Sequence, residues 1–277
     1  MTIIHHNDSD GLCAGFLAGY FERQHGEENI RFVCADYEMD PGKIIDAIAP
    51  GETVYVLDWS FKPSDWMRVL MRTPNVVWID HHATAIEACK HLDIPGLRVV
   101  GKCGALLTWE YLSKGKPVPE FVRLVNDWDI WAHKYGLRTR HFQAGLKMID
   151  TSPDSVEWLK MFGADRLDKI CEMGKIAYES EQAFNAAYLK QCGYTRNFAG
   201  KECLVLNRAK ANSDVAGEQL SKHDCFVTWY YNGTRYVVSM YTAKIDVDVS
   251  EIAVKYGGGG HKQAAGFNCA ELPQELK

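Results

Sequence analysis

Residues 2–25 read TIIHHNDSDGLCAGFLAGYFERQH. A short β-branched run ends in a cluster of polar residues, and a helix-like pattern of small and aromatic residues follows at once. The same unit recurs through the first half of the chain. Candidate strands at Thr2–His6, Arg31–Tyr37, Thr53–Asp58, Val76–Asp80 and Leu97–Val100 alternate with helical patterns at 12–25, 42–49, 63–72, 84–91 and 104–113. Strict alternation predicts an α/β class, with βαβ units around a mostly parallel sheet and helices on both faces. Such sheets bind ligands at the carboxyl ends of their strands.

Residues 118–192 read as helical, with one long stretch from Ala164 to about Gln191. The texture changes after Gly193. A strand at Glu202–Asn207 and a helix at Ser213–Ser221 come first. Runs at Phe226–Tyr231 and Thr234–Tyr241 then flank Asn232-Gly233, which predicts a hairpin with a type I′ turn. A short helix at Asp248–Lys255, four glycines at 257–260 and a strand near Gly266–Cys269 close the chain. With 277 residues the chain suits two domains. The expected units are 1–190 and a smaller α/β domain at 200–277, with the active site in the cleft between them.

Composition narrows the function. With 47% apolar and 24% charged residues the chain is ordinary globular protein. No run of eighteen apolar residues offers a membrane span, and the N-terminus has no basic segment leading into an apolar one, so a cytoplasmic location is expected. Nine cysteines, none closer than eleven residues to another, form no paired metal or redox motif and read as reduced thiols. Residues 200–277 hold nine basic and nine acidic side chains, which leaves the whole net charge of −5 on residues 1–199. A protein that grips long nucleic acid normally shows a basic stripe. None is visible, so an anionic substrate must be drawn in locally, for instance by bound metal ions.

Acids and histidines gather where the strands end. The first strand runs into His6-Asn7-Asp8-Ser9-Asp10-Gly11, the third into Asp58-Trp59 and the fourth into Asp80-His81-His82. A further cluster, Asn126-Asp127-Trp128-Asp129, closes the helix that begins near Pro119. Two carboxylates about 4 Å apart repel by ~4 kcal/mol at an effective dielectric of 20, so three or more need cations to stay ionised. Mixed carboxylate and imidazole ligands suit Mn²⁺, Mg²⁺ or Fe²⁺, and a pair of such ions is a common device for phosphoester hydrolysis. A lone Asp-x-Asp after a strand is often only a turn with a helix cap. Placement on successive strand tips is what favours a metal site. His5 faces the opposite side of its strand from His6 and is read as packing, and Asp129 as a capping or supporting residue.

In combination, HNDSDG, LDW, IDHH, NDWD and GGGGHKQAAGF resemble the DHH phosphoesterases, and within them the branch whose C-terminal domain carries GGGGH. Relatives include RecJ-type exonucleases, nano-RNases, pAp phosphatases and cyclic-dinucleotide phosphodiesterases. The resemblance covers residues 1 to about 269. It implies a metal-binding domain at 1–190 and a substrate-binding domain at 200–277. Asp8, Asp10, Asp58, His81 and Asp127 would hold two Mn²⁺ or Mg²⁺ ions, with Asp58 as the bridge and His6 as a further ligand. His82 would contact the scissile phosphate, and Asp80 would orient a neighbouring imidazole. Gly258, Gly259 and Gly260 with His261 would bind substrate phosphate, the glycine N–H groups forming an anion nest. One departure is the stretch Ser239–Lys244, where relatives often carry an arginine and where Lys244, Arg208 or Tyr241 would have to substitute.

The expected activity is hydrolysis of short single-stranded oligonucleotides or small nucleotides, as a nano-RNase or exonuclease would perform it. The alternatives are a pAp-type phosphatase, a cyclic-dinucleotide phosphodiesterase or a catalytically inactive nucleotide-binding protein. Neither a membrane nor long duplex DNA is an expected partner. The oligomeric state is left open, with a homodimer as one option.

Overall fold

The computed structural model describes residues 1–36 and 39–277. The chain forms two compact units, Met1–Tyr178 and Glu179–Lys277, and the division falls inside the long helix rather than after it.

In the first unit, β1 (Thr2–His6), α1 (Ser9–Gln24), β2 (Arg31–Ala35), α2 (Pro41–Asp46), β3 (Val54–Leu57), α3 (Pro63–Arg72), β4 (Val76–Ile79) and α4 (Ala83–Ala88) alternate. The four strands form a parallel sheet in the order β2-β1-β3-β4. Successive side chains of a strand point to opposite faces, and here both faces are covered. Ile3, Tyr55 and Leu57 pack with Phe16 and Leu17 of α1, while Ile4, Val54 and Val56 pack with Ile45 of α2 and Trp66 of α3. The helices α5 (Gly104–Leu112), α6 (Glu120–Asp129), α7 (Leu137–Leu146), α8 (Val156–Lys160) and α9 (Ala164–Cys192) follow. Among the described residues, no helix is long and apolar enough to cross a membrane.

Local geometry sets the strand ends. β3 stops at Leu57 because Asp58 turns into the left-handed region, φ 54°. β4 stops at Ile79, where the chain turns into His81-His82. The expected strand at Leu97–Val100 is a single bridge between Asp80 and Arg98, in which the Asp80 N–H donates to the Leu97 carbonyl and the Val99 N–H to the Asp80 carbonyl. Tyr37, expected at the end of β2, lies outside the described residues.

In the second unit, β5 (Tyr194–Phe198), β6 (Lys201–Asn207), β7 (Cys225–Tyr231), β8 (Tyr236–Tyr241), β9 (Gly259–His261) and β10 (Ala264–Cys269) form a mixed sheet in the order β5-β6-β7-β8-β10-β9. Only β6 and β7 run parallel. The helical elements are α10 (Ser213–Ala216) and α11 (Val249–Lys255). The helix expected to reach Ser221 gives way at Gly217 (φ 53°) to a tighter 3₁₀ turn. The β7–β8 hairpin is present, but its turn is not type I′. Gly233 has positive φ and Asn232 does not, and the Asn232 side-chain oxygen instead accepts from the N–H groups of Thr234 and Arg235.

The glycine run is built differently from a four-membered nest. The N–H groups of Gly257 and Gly258 donate to the Val254 and Ala253 carbonyls at the end of α11 (3.0 and 2.9 Å). Gly259 and Gly260 continue into edge strand β9, paired with β10. A Cβ on Gly258 would lie 2.1 Å from the Gly266 carbonyl oxygen. Gly260, at φ 141°, would bring one to 2.5 Å from the Ala265 Cα, whereas Gly259 faces open space. Positive φ and close approach therefore belong to Gly260 rather than Gly259. Gly259→Ala should leave stability within about 0.5 kcal/mol of wild type, and Gly260→Ala should cost roughly 2 kcal/mol or more. Urea denaturation of the two variants checks the contrast.

Candidate metal centre

Asp8 is the N-cap of α1, and its Oδ1 accepts from the N–H groups of Asp10 (3.1 Å) and Gly11 (2.9 Å). A Cβ on Gly11 would sit 2.4 Å from the His6 carbonyl oxygen, so glycine is what lets the chain fold back over the β1 tip. The His6 Nδ1 is 2.9 Å from Asp8 Oδ2 and 3.8 Å from Asp58 Oδ2. Burial works against the Asp8 charge, but His6 and the two N–H groups hold its carboxyl below the usual range. The hydrogen bond to Asp8 pushes the His6 imidazole up.

Asp10 is 1% exposed and is fixed by the start of α5, where Gly104 N–H donates to Oδ2 (2.6 Å) and Ala105 N–H to Oδ1 (2.7 Å). Asp58, also 1% exposed, has no hydrogen-bond partner on either carboxylate oxygen. Burial, with Asp58 and Asp8 close by, drives the Asp10 carboxyl well up. Burial and then Asp8 and Asp129 do the same to Asp58.

Asp80 is fully buried. Its Oδ1 accepts from His81 N–H (2.7 Å), His82 N–H (3.2 Å) and the His82 ring at Nδ1 (2.7 Å), which sets that ring's tautomer and direction. The His81 Nε2 points the other way, 3.1 Å from Asp58 Oδ1, 3.5 Å from Asp129 Oδ2 and 3.9 Å from Asp10 Oδ2. His5 is buried, with its ring against Phe32 and its Nδ1 2.9 Å from the His6 carbonyl oxygen.

Three groupings could hold metal ions: His6-Asp8-Asp58, Asp10-His81-Asp129 and Asp58-His81-His82. Asp58 stands between the first two, with Oδ2 toward His6 and Oδ1 toward His81. Among the described residues, no lysine or arginine pairs with Asp8, Asp10, Asp58, Asp80 or Asp129. Buried carboxylate oxygens with no donor and no cationic side chain fit a divalent cation. The metal and catalytic residues named from the sequence thus meet at the β1, β3 and β4 tips, with one exception. Asp127 lies in none of the groupings. Its oxygens are taken by Lys134 N–H (2.6 Å), Tyr135 N–H (3.2 Å) and the Thr139 hydroxyl (2.5 Å). Asp129 stands there instead, with burial and Asp10 raising its carboxyl to about 7.

The expected phosphate-binding residues belong to the other unit, where His261 is exposed at the end of β9. Of the three candidates to replace the arginine, Lys244 is paired with Asp224 (2.6 Å) and the Tyr241 hydroxyl donates to the Ala211 carbonyl. Arg208 donates to Asn185 and lies over the Phe184 and Tyr188 rings.

No family model matches the chain. An uncharacterized protein of Acanthamoeba polyphaga mimivirus is 27% identical over 285 residues, which are 96% of this chain and 66% of that protein. The oligoribonuclease NrnB of Bacillus subtilis strain 168 is 24% identical over 301 residues, 98% of this chain and 73% of that one. The chain therefore spans 66% and 73% of the length of these two relatives. Among solved structures, the DHH domain of a protein assigned to a family of ribosomal proteins aligns at TM-score 0.63 and 14% identity, covering 97% of this chain and 82% of that one. The exonuclease RecJ bound to manganese aligns at TM-score 0.55 and 14% identity, covering 97% and 85%. The fold is that of the DHH-domain proteins.

Two outcomes follow from this geometry. Asp129→Asn should weaken Mn²⁺ binding at least tenfold by titration calorimetry. Asp127→Asn should leave that binding largely intact but cost ~1–3 kcal/mol of stability, because an acceptor of three donors is impaired. Without cations, the raised carboxyls of Asp10, Asp58 and Asp129 mean that the folded state holds protons the unfolded state has released. Their contribution is greatest below pH ~4 and is lost as pH rises, for Asp129 through about 7. The melting temperature in EDTA should therefore fall between pH 5 and 7.5, and Mn²⁺ should remove the fall.

Proposed function

We propose that the chain is a metal-dependent phosphoesterase that hydrolyses phosphodiester bonds of short single-stranded oligonucleotides. The observation that carries this reading is Asp58, a buried carboxylate that accepts no hydrogen bond and stands between two acid–histidine groupings. His6 and Asp8 would hold one cation and Asp10, His81 and Asp129 a second, with Asp58 shared. The mixed oxygen and nitrogen donors favour Mn²⁺ or Mg²⁺. Such ions supply Lewis-acid charge at a phosphoryl oxygen and a water of lowered pKa. The RecJ structure with manganese and the oligoribonuclease relative support this choice.

The protein's own residues orient the reaction. Asp80 holds His82 through Nδ1, so Nε2 is the ring atom that exchanges a proton or donates to the phosphate. The N–H groups at the start of α5 keep Asp10 in place, and the left-handed turn at Asp58 presents its carboxylate to both sides. The first unit would carry the metals, and the second would contact substrate through Gly258–His261, with the edge strand β9 and the exposed His261 ring as the surface offered. The nine free cysteines favour the cytosol as the place of action.

A panel of a dinucleotide, 5- to 30-mers, pAp and a cyclic dinucleotide, incubated with Mn²⁺ and resolved by product length, tests the reading. Substrates below about six nucleotides should be cut fastest, because neither unit carries the net positive charge that holds long strands. EDTA should abolish turnover, and Asp58→Ala should lower kcat by at least ~10³. Full activity in excess EDTA would overturn the metal assignment, and processive digestion of the 30-mer would place the protein with the long-strand exonucleases.

A further inference from the structure

The end of α6 carries a second construction, which the metal centre does not use. Trp131 and His133 both adopt left-handed backbone, φ 57° and 51°. Bulky residues rarely do so, and the conformation persists only where surrounding contacts impose it. Here Asp127 imposes it. Its carbonyl accepts from the N–H groups of Ala132 (3.0 Å) and His133 (3.4 Å), and its carboxylate takes the Lys134 and Tyr135 N–H groups and the Thr139 hydroxyl.

What this strained loop presents is a large aromatic surface. Trp131 is 43% exposed. Its ring is flanked edge-on by His133 at 4.5 Å and, tilted, by Trp128 at 5.1 Å. The His133 Nδ1 is buried without a hydrogen-bond partner, so that ring is placed by packing against the tryptophans. A loop shaped only for stability would put glycine or asparagine at these φ values and would not leave an indole in water. Trp131 also lies two residues from Asp129, which keeps its Cα within about 7 Å of the Cα of a metal-centre residue.

We propose that Trp131, braced by Trp128 and His133, is a stacking shelf for an unpaired nucleobase of the substrate, beside the phosphate held at the metal centre. The assignment rests on the reading of the substrate as a nucleotide. An indole face takes any base, since every base has a π-face, and it selects single strands because a paired base is already stacked. Asp127 is then a positioning residue for the shelf.

The test compares a dinucleotide with its counterpart lacking one base, in binding with Ca²⁺ in place of Mn²⁺ and in KM during turnover with Mn²⁺. Wild type should favour the base-bearing ligand about tenfold, a typical effect of one base–aromatic contact. Trp131→Gly, which suits the left-handed backbone and should fold at least as stably, should bring the ratio close to one. Trp131→Phe should restore most of it. An unchanged ratio in Trp131→Gly, or equal loss on both ligands, would overturn the shelf. Hydrolysis by wild type without the base effect would overturn the shelf alone, and the base effect without any hydrolysis would overturn the phosphoesterase reading alone. Absence of binding by wild type would overturn both.

Discussion

A carboxylate that is 1% exposed and accepts no hydrogen bond is among the costliest groups a fold can carry, and Asp58 is such a group. Its backbone is anchored to the sheet through its N–H and the Ile79 carbonyl (2.9 Å), while its φ of 54° swings the side chain away from the strand direction. The nearby charges make matters worse, since Asp8, Asp129 and Asp80 all disfavour ionisation of Asp58. A protein can keep such a group neutral or can bind a cation there. The neighbouring His6 and His81 nitrogens and the carboxylates beyond them supply the rest of a cation's shell, and that favours the second outcome.

Glycines let the surrounding elements come close enough. A Cβ on Gly104 would lie 2.6 Å from the Asp58 Cβ, so only glycine lets the N-terminus of α5 reach the β3 tip. That same N-terminus donates two N–H groups to Asp10 and places its positive end beside an acid cluster. Gly11 performs the equivalent service at the β1 tip. Packing, backbone geometry and charge are thus satisfied by the same few residues, and both core layers of the first unit hold the strands that carry them.

Much of this was legible in the sequence because period-two strands and polar strand tips are local signals. Thr2–His6, Pro63–Arg72 and the helix from Ala164 read directly, as did the gathering of His6, Asp8, Asp10, Asp58 and His81. The parts that were not legible depend on distant neighbours. β5 reads Tyr-Thr-Arg-Asn-Phe, too polar to stand out, because it is an edge strand whose partner β6 supplies the pairing. The glycine run suggested a nest, but the α11 carbonyls that take two of its N–H groups are visible only once the helix end is in place. Asp127 and Asp129 sit two residues apart in one motif, and nothing local says which of them faces the strands.

That last distinction has a geometric cause. Residues two apart on a helix are separated by about 200° around its axis, so Asp127 and Asp129 cannot serve the same neighbour. α6 ends at Asp129, which looks toward His81 and Asp10, while Asp127 looks toward the chain that follows and gathers residues 132–139 around itself. One helix end therefore supplies two acids with opposite tasks. Asp129 keeps a buried oxygen without a hydrogen bond beside His81, whereas the Asp127 carboxylate accepts from Lys134, Tyr135 and Thr139. The saturated acid is what holds the strained turn at Trp131 and His133, and it ties the position of that turn to the residue beside the metal centre. The motif reads with Asp127 as the ligand and Asp129 as its support; in three dimensions Asp129 faces the metal grouping and Asp127 braces the loop that follows.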